Sequence, residues 1–268
     1  GQQWVDDSCN KKASKIVNKA IDHLSNIEYT MAYAMANAAL LIDDDCQCAH
    51  LVKAGATSPN ADWGSREAKL TAIDESKLGN VEKVWFSMLK ATLSSDSETY
   101  QKSLTDGLKS NPNSPLLNWL SRDGSSFEDN KKFVEMFPKL ASGSYNMMAY
   151  QYARGNYDGE SDIEMAYEMI DKSMALHDGP NILDSKAEIA AENGDYETAL
   201  NSQLKAHDYS WVGSQYWENA VTYYLKLNQE NVENYLKQAQ VNLQNAILVK
   251  KTKVAMFYGN LKLKKLLT

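Results

Sequence analysis

The 268 residues carry a net charge of −7 with a pI near 5.2. This balance argues against nucleic-acid binding, which needs a basic face, and no apolar run approaches the ~20 residues of a membrane-spanning helix. Glycine and proline number only 13 and 5, which favours a mostly helical chain.

The N-terminal part of the chain repeats apolar residues at intervals of three and four, which is the spacing of an amphipathic helix. This pattern predicts a first helix over residues 6–24 and a partner helix over residues 27–42. A third helix is predicted to start near Cys46, where the preceding aspartate serves as its N-cap. Residues 56–63 predict a loop, because turn-forming types dominate them.

Shorter helices are predicted in the middle of the chain. Two of them end near Ile73 and Leu93, and another occupies residues 97–108. A short helix around Trp119 precedes a further one over residues 127–137. The expected fold class is therefore all-α, with about 12 to 14 helices and no substantial sheet.

The clearest helical patterns lie in the C-terminal half. Two segments place bulky and small residues at relative positions 0, 3, 4 and 7, which fall on one face of a helix. They are Tyr145, Met148, Ala149 and Tyr152, followed by Trp217, Ala220, Val221 and Tyr224. Between them, Gly194 predicts a left-handed helix end and Asp195 the N-cap of the next helix. Paired helices are expected to approach closely at Ala166 and Ala199.

A period connects the breaks between these helices. Asp44, Pro112 and Pro180 are each 68 residues apart, which is two periods of 34. The midpoints of those intervals, Leu78 and Asn146, fall in segments with the composition of loops. A unit of helix, turn, helix and break that recurs every 34 residues is typical of helical repeat arrays.

These residues resemble the tetratricopeptide repeat. The first helix of that repeat carries a bulky residue, a large and small pair and an aromatic, as in the segments that begin at Tyr145 and Trp217. Its turn carries Gly, Asp and Tyr, as at residues 194–196, and a proline closes the repeat, as at Pro112 and Pro180.

The resemblance implies a right-handed α-α superhelix. It is specific over residues 142–228 and weak before residue 97. We expect one continuous solenoid, with degenerate helical repeats over residues 1–96, tetratricopeptide-like repeats over residues 97–228, and a capping helix with a basic tail over residues 229–268.

The resemblance also bears on location. The segment 180–200 is similar to repeat proteins of Bacteroidetes-type bacteria, many of which are exported, so it implies a periplasmic or secreted protein. Gly1 stands in place of an initiator methionine, which favours removal of an upstream segment.

Three cysteines do not form a disulfide framework. The alternatives are free thiols on helices or one disulfide that joins Cys9 to Cys46 or Cys48.

In the tetratricopeptide family, the inner faces of the first helices line a concave groove that holds a protein or peptide. The resemblance therefore implies a non-catalytic binding scaffold without a cofactor. Transferred by position, the groove residues form a polar, mildly acidic set. They are Asn146, Tyr150 and Arg154, then Asn181, Asp184 and Glu188, and then Gln215, Glu218 and Thr222. The alternative is a solvated concave face that binds nothing.

Few residues have the type and spacing of a metal site or a catalytic site. Cys46, Cys48 and His50 invite a metal site, but on a helix Cys48 points away from the other two, and a thiolate site usually has four converging ligands. The favoured interpretation is a helix start with two buried thiols. The four histidines are scattered, and the sequence holds neither an HExxH motif nor a phosphate-binding loop. We therefore expect no metal and no enzyme activity.

A second function is suggested by charge. After Glu233 the chain holds seven lysines and no acidic residue, so the preceding residues carry −14 against +7 in the tail. Such a chain is suited to be an accessory subunit or chaperone-like factor of an extracytoplasmic complex, assembled through an acidic body and a basic tail. A helix is predicted over residues 232–249, and beyond it either a helix or a hairpin at Gly259.

Overall fold

The computed structural model describes residues 2–6, 9–57 and 65–209. Within these ranges the chain forms twelve α-helices and one 3-10 turn, Glu75–Lys77, and no β-strand. The predicted all-α class is confirmed. The helices are α1 Lys11–Ser25, α2 Tyr29–Leu40, α3 Gln47–Ala56, α4 Arg66–Thr71, α5 Asn80–Leu93, α6 Ser97–Ser110, α7 Pro115–Ser121, α8 Phe127–Met136, α9 Ser142–Arg154, α10 Ile163–Leu176, α11 Pro180–Glu192 and α12 Tyr196–Asp208.

Local sequence accounts for several of the helix starts. The side chains of five polar residues accept a hydrogen bond from a backbone N–H of the first turn, which satisfies a donor that the helix itself cannot pair. These residues are Asn10, Ser65, Asp96, Ser114 and Ser126. At the turn between α11 and α12, Gly194 has a φ of +81° and Asp195 accepts from the Thr198 amide. Both predictions for this turn are confirmed.

The first helix starts later than predicted, at Lys11 rather than near residue 6. Residues 2–6 are not helical and contact other parts of the first unit. Trp4 is 2% exposed and stacks on Phe133 with ring centroids 6.1 Å apart. The Asn18 side chain bonds both the amide and the carbonyl of Val5 at 3.1 Å. These bonds satisfy the Val5 backbone without a helix.

The sequence placed Asn146 both at a midpoint with the composition of a loop and within the helix whose stripe begins at Tyr145. The structure confirms the helix, because Asn146 lies inside α9. Small polar residues favour turns in isolation, but here tertiary contacts stabilise the helix. The Ser142 hydroxyl donates to the Asn26 side chain at 3.0 Å. Gly143 packs so closely that an added Cβ would lie 2.6 Å from the Ser25 carbonyl oxygen.

Successive helices pack against one another. α1 packs on α2 and α2 on α3, α5 packs on α6, and α11 packs on α12. The residues of these helices that lose all exposure include many alanines, which bring helices close together. Among them are Ala13, Ala20, Ala32, Ala36, Ala187, Ala190, Ala199 and Ala206.

The chain divides into two compact units. The first comprises Gly1–Met148 together with Ala175–His177, and the second comprises Ala149–Met174 and the chain from Asp178 onward. The expected tail, with its predicted helix over residues 232–249, lies outside the described residues, as does most of the predicted loop over residues 56–63.

One disulfide lies in the first unit. It joins Cys9 to Cys46, whose Cα atoms are 4.8 Å apart. Cys48 is buried and is not part of the disulfide. Of the pairings left open by the sequence, Cys9 with Cys46 is the one that forms. The bond ties the segment before α1 to the start of α3.

We predict that removing this disulfide destabilises the first unit. The joined residues are 37 apart in sequence. Closing a loop of that length lowers the entropy of the unfolded chain, which stabilises the folded state by about 3–4 kcal/mol. Cys9→Ser with Cys46→Ser should lower the free energy of unfolding by that order in urea titrations. A reductant should lower the stability of the wild type and leave the double variant unchanged. Equal stability of the two oxidised proteins would contradict the prediction.

A second prediction concerns the α11 and α12 pair. Ala199 is fully buried, so Ala199→Trp must displace its neighbours, and overpacking typically costs ~1–3 kcal/mol or more. Lys205→Trp provides the control on the exposed side of the same helix. Thermal melts should show a lower Tm for Ala199→Trp alone. Equal melting of the two variants would mean that α12 does not bury Ala199.

Candidate functional site

Two helices that the sequence assigned to the groove meet in the second unit. Tyr150 and Arg154 lie one turn apart on α9, and Glu188 and Glu192 lie one turn apart on α11. The Tyr150 hydroxyl donates to Glu188 Oε2 at 2.7 Å. Arg154 Nη2 donates to Glu188 Oε1 at 3.0 Å and to Glu192 Oε1 at 2.6 Å. We call these four residues the α9–α11 cluster.

The α9–α11 cluster is ordered but open to solvent. The Arg154 guanidinium also stacks over the Tyr150 ring, 4.6 Å from its centroid. The side chains of Arg154, Glu188 and Glu192 are 41%, 47% and 44% exposed. Exposed ion pairs of this kind contribute only ~0–1 kcal/mol to stability. The cluster therefore places charge and an aromatic ring at a surface, where a partner can reach them.

Tyr150 and Arg154 both keep their protons at neutral pH. Hydrogen bonding to Glu192 and the nearby carboxylates raise the pKa of Arg154, against a smaller effect of burial. Burial and the bond to Glu188 raise the pKa of the Tyr150 hydroxyl. Tyr150 is therefore a neutral donor and Arg154 a cation. Together with two carboxylates they leave the cluster with a net negative charge.

Three of the other predicted groove residues lie in the described part of the chain. Asp184 is half-buried and accepts a hydrogen bond at 2.7 Å from the amide of Gln203, which is fully buried. Asn181 is half-buried at the start of α11, and Asn146 is 4% exposed in the first unit. Gln215, Glu218 and Thr222 lie outside the described residues. Glu192 was not predicted, although it follows Glu188 by one helical turn.

The segment around Cys46 does not offer the thiolate pair that a metal site there would need. Cys46 is oxidised in the disulfide with Cys9, so it carries no thiolate. Cys48 is 1% exposed. His50 is only partly buried, and burial lowers its pKa. These positions instead form the start of α3, whose N-cap is Cys46.

The sequence analysis missed a buried polar cluster in the first unit. His23 Nδ1 lies 2.5 Å from Glu28 Oε2, and His177 Nε2 lies 2.8 Å from the same oxygen. The other nitrogen of His177, Nδ1, lies 2.9 Å from Asp22 Oδ2. His23, Glu28 and His177 are 2%, 6% and 3% exposed. We call these three residues with Asp22 the histidine cluster.

The turn after α1 builds half of the histidine cluster. The Glu28 amide donates to the His23 carbonyl and the Ile27 amide to the Leu24 carbonyl, which is the pattern of a Schellman motif. Ile27 has a φ of +64°, a left-handed conformation that branched residues rarely adopt. This turn folds Glu28 back against His23.

Opposite charges in the histidine cluster shift the pKa values of His177 and Asp22. Burial disfavours the imidazolium of His177, but hydrogen bonds to Asp22 and Glu28, with their charges, outweigh it and raise the pKa of His177 to about 9. Burial likewise opposes the charge of Asp22, yet His177 and the surface residue Lys19 lower its pKa. No sequence motif signals the cluster, because His177 follows Glu28 by 149 residues.

The chain was compared with protein families, curated proteins and solved structures. No protein-family model and no curated protein matches the chain. Among solved structures, it is similar to the crystal structure of PilW, described as a widely conserved type IV pilus biogenesis factor. The likeness covers 97% of this chain and 100% of that one, at 15% sequence identity and a TM-score of 0.45. At this score it carries no inference about function.

Proposed function

We propose that this chain is a non-catalytic scaffold that binds a protein or peptide on the surface formed by α9 and α11. The observation that carries the proposal is the α9–α11 cluster. Residues assigned to a groove on two separate helices, Tyr150, Arg154 and Glu188, come together at one exposed surface. Their mutual bonds hold the side chains in place, so that binding loses less conformational entropy.

The chemistry of the cluster suggests the class of partner. Two carboxylates against one guanidinium favour a basic or amide-rich peptide, because complementary charge governs partner choice and association rate. The Tyr150 ring and hydroxyl supply an amphipathic contact of the kind that often anchors interfaces.

We also propose an extracytoplasmic location. The Cys9–Cys46 disulfide supports it, because such bonds form and persist mainly outside the cytosol. Within residues 2–6, 9–57 and 65–209, none of the helices combines the length and the hydropathy that crossing a bilayer requires.

Reversing the charge of two residues on α11 tests the proposed binding surface. Glu188→Lys with Glu192→Lys should weaken binding of basic peptides selected from a random library about tenfold or more, since two attractive charges become repulsive. Titration calorimetry measures the change. Stability should fall by no more than ~1 kcal/mol, because both side chains are exposed. Asp184 is left unchanged, since its loss would leave the buried Gln203 amide without its acceptor.

The matched control makes the same change of net charge elsewhere in the second unit. Glu164 and Glu168 are exposed and lie one turn apart on α10. Glu164→Lys with Glu168→Lys should leave peptide affinity nearly unchanged. Equal loss of affinity in both double variants would show that only overall charge matters, and would discard the α9–α11 surface.

The second candidate function, assembly through an acidic body and a basic tail, is favoured by the charge separation in the sequence. The tail lies outside the described residues, so this remains a prediction from composition. Opposite potentials of this size favour association, and salt screens them with a Debye length of ~8 Å at physiological ionic strength.

Replacing the terminal lysines tests this alternative. Six of them, Lys250, Lys251, Lys253, Lys262, Lys264 and Lys265, are changed to Gln together. If the tail docks on an acidic surface, the variant should differ from the wild type in oligomer size by light scattering at low salt. Identical sizes from low to high salt would leave the tail only a capping role.

A further inference from the structure

The histidine cluster brings three metal-binding atoms together inside the first unit. His23 Nδ1, Glu28 Oε2 and His177 Nε2 all lie within 4.8 Å of one another. The carboxylate oxygen is the centre of the group, because it lies 2.5 Å and 2.8 Å from the two imidazole nitrogens. All three residues are more than nine-tenths buried.

Two arrangements can hold these atoms together. In the first, protons bridge them, and His177 must then carry both ring protons because its two nitrogens face two carboxylates. In the second, a metal ion replaces the proton on His177 Nε2 and is bound by His23 and Glu28 as well. His177 then needs only the Nδ1 proton that it donates to Asp22.

The surroundings of His177 match those of a metal ligand. Histidines that bind metal usually donate their other ring N–H to a carboxylate, which fixes the ring and increases its basicity. Asp22 Oδ2 stands 2.9 Å from His177 Nδ1 and provides this contact. Two imidazoles and one carboxylate are a ligand set that suits zinc, at about 2.0–2.2 Å per bond.

Binding of the ion requires movement of the side chains. Tetrahedral zinc with such bonds keeps its ligand atoms about 3.3 Å apart. Glu28 Oε2 would therefore draw back from each nitrogen by less than about 1 Å, and the two imidazole nitrogens, which lie within 4.8 Å of each other, would approach by up to about 1.5 Å. Rotation of the three side chains provides these movements.

We infer that the first unit binds one zinc ion through His23, Glu28 and His177, with Asp22 as the residue that positions His177. The ion joins the end of α1, the start of α2 and the residue that follows α10, and a water molecule completes its four ligands. This inference is independent of the peptide-binding surface proposed above.

Zinc titration of the purified, tag-free chain tests the inference. After treatment with a chelator, the wild type should take up one Zn²⁺ per chain in calorimetry. At a hundredfold excess of free zinc over the Kd, its Tm should rise by roughly 5–10 °C. Co²⁺ should give the visible absorption of a tetrahedral site. A folded wild type that takes up neither ion would overturn the assignment.

Variants identify the ligands. His23→Gln and His177→Gln should each abolish stoichiometric uptake, while the control His50→Gln, a partly buried histidine outside the cluster, should retain it. Asp22→Asn should keep one ion per chain but bind it 10–100-fold more weakly, as expected for loss of a positioning carboxylate. Uptake that survives both His23→Gln and His177→Gln would contradict the site.

A measurement on the wild type covers the case in which these variants fail to fold. In chains with isotope-labelled histidine, NMR reports each ring nitrogen directly. Zinc should shift Nδ1 of His23 and Nε2 of His177 and leave His50 unchanged. Shifts confined to His50, or no shift at all, would show that protons alone hold the cluster.

Discussion

Close packing of neighbouring helices through alanine is the constraint on which the rest of the described structure depends. Ala20 on α1 and Ala36 on α2 lose all exposure, as do Ala187 on α11 and Ala199 on α12. A side chain of one carbon lets helix backbones approach closely and bury their larger neighbours. Side chains from separate helices can then lie beside one another at one surface. The α9–α11 cluster is such a surface.

Helical periodicity made most of the fold predictable, since the apolar stripe of each helix must be buried. It fails where tertiary contacts replace local preference. Residues 2–6 are not helical, because Trp4 is buried against Phe133 and Asn18 bonds the Val5 backbone. Conversely, α9 begins within the small residues 142–144, which favour turns. Neither outcome follows from propensity, because both depend on residues far away in sequence.

The two candidate sites also differ in whether local sequence or contacts between distant residues build them. Tyr150, Arg154 and Glu188 could be named from the sequence because the resemblance transfers helix positions of the tetratricopeptide family to this chain, and their role in binding remains a prediction. The histidine cluster was not, since a Schellman turn with a left-handed Ile27 aligns Glu28 with His23, and His177 arrives from a distant helix end. For the cysteines, the sequence left open free thiols or a disulfide from Cys9 to Cys46 or Cys48, and the structure forms the Cys9–Cys46 bond.

Hydrogen exchange tests the central claim, that α9 and α11 form the surface for a partner, most directly. Peptides selected on the intact chain from a random library would be added at saturation, and amide exchange compared with and without them. The account predicts slower exchange concentrated in Ser142–Arg154 and Pro180–Glu192, and basic or amide-rich sequences among the selected peptides. Slower exchange confined to α5 and α6, with no change in α9 or α11, would contradict it.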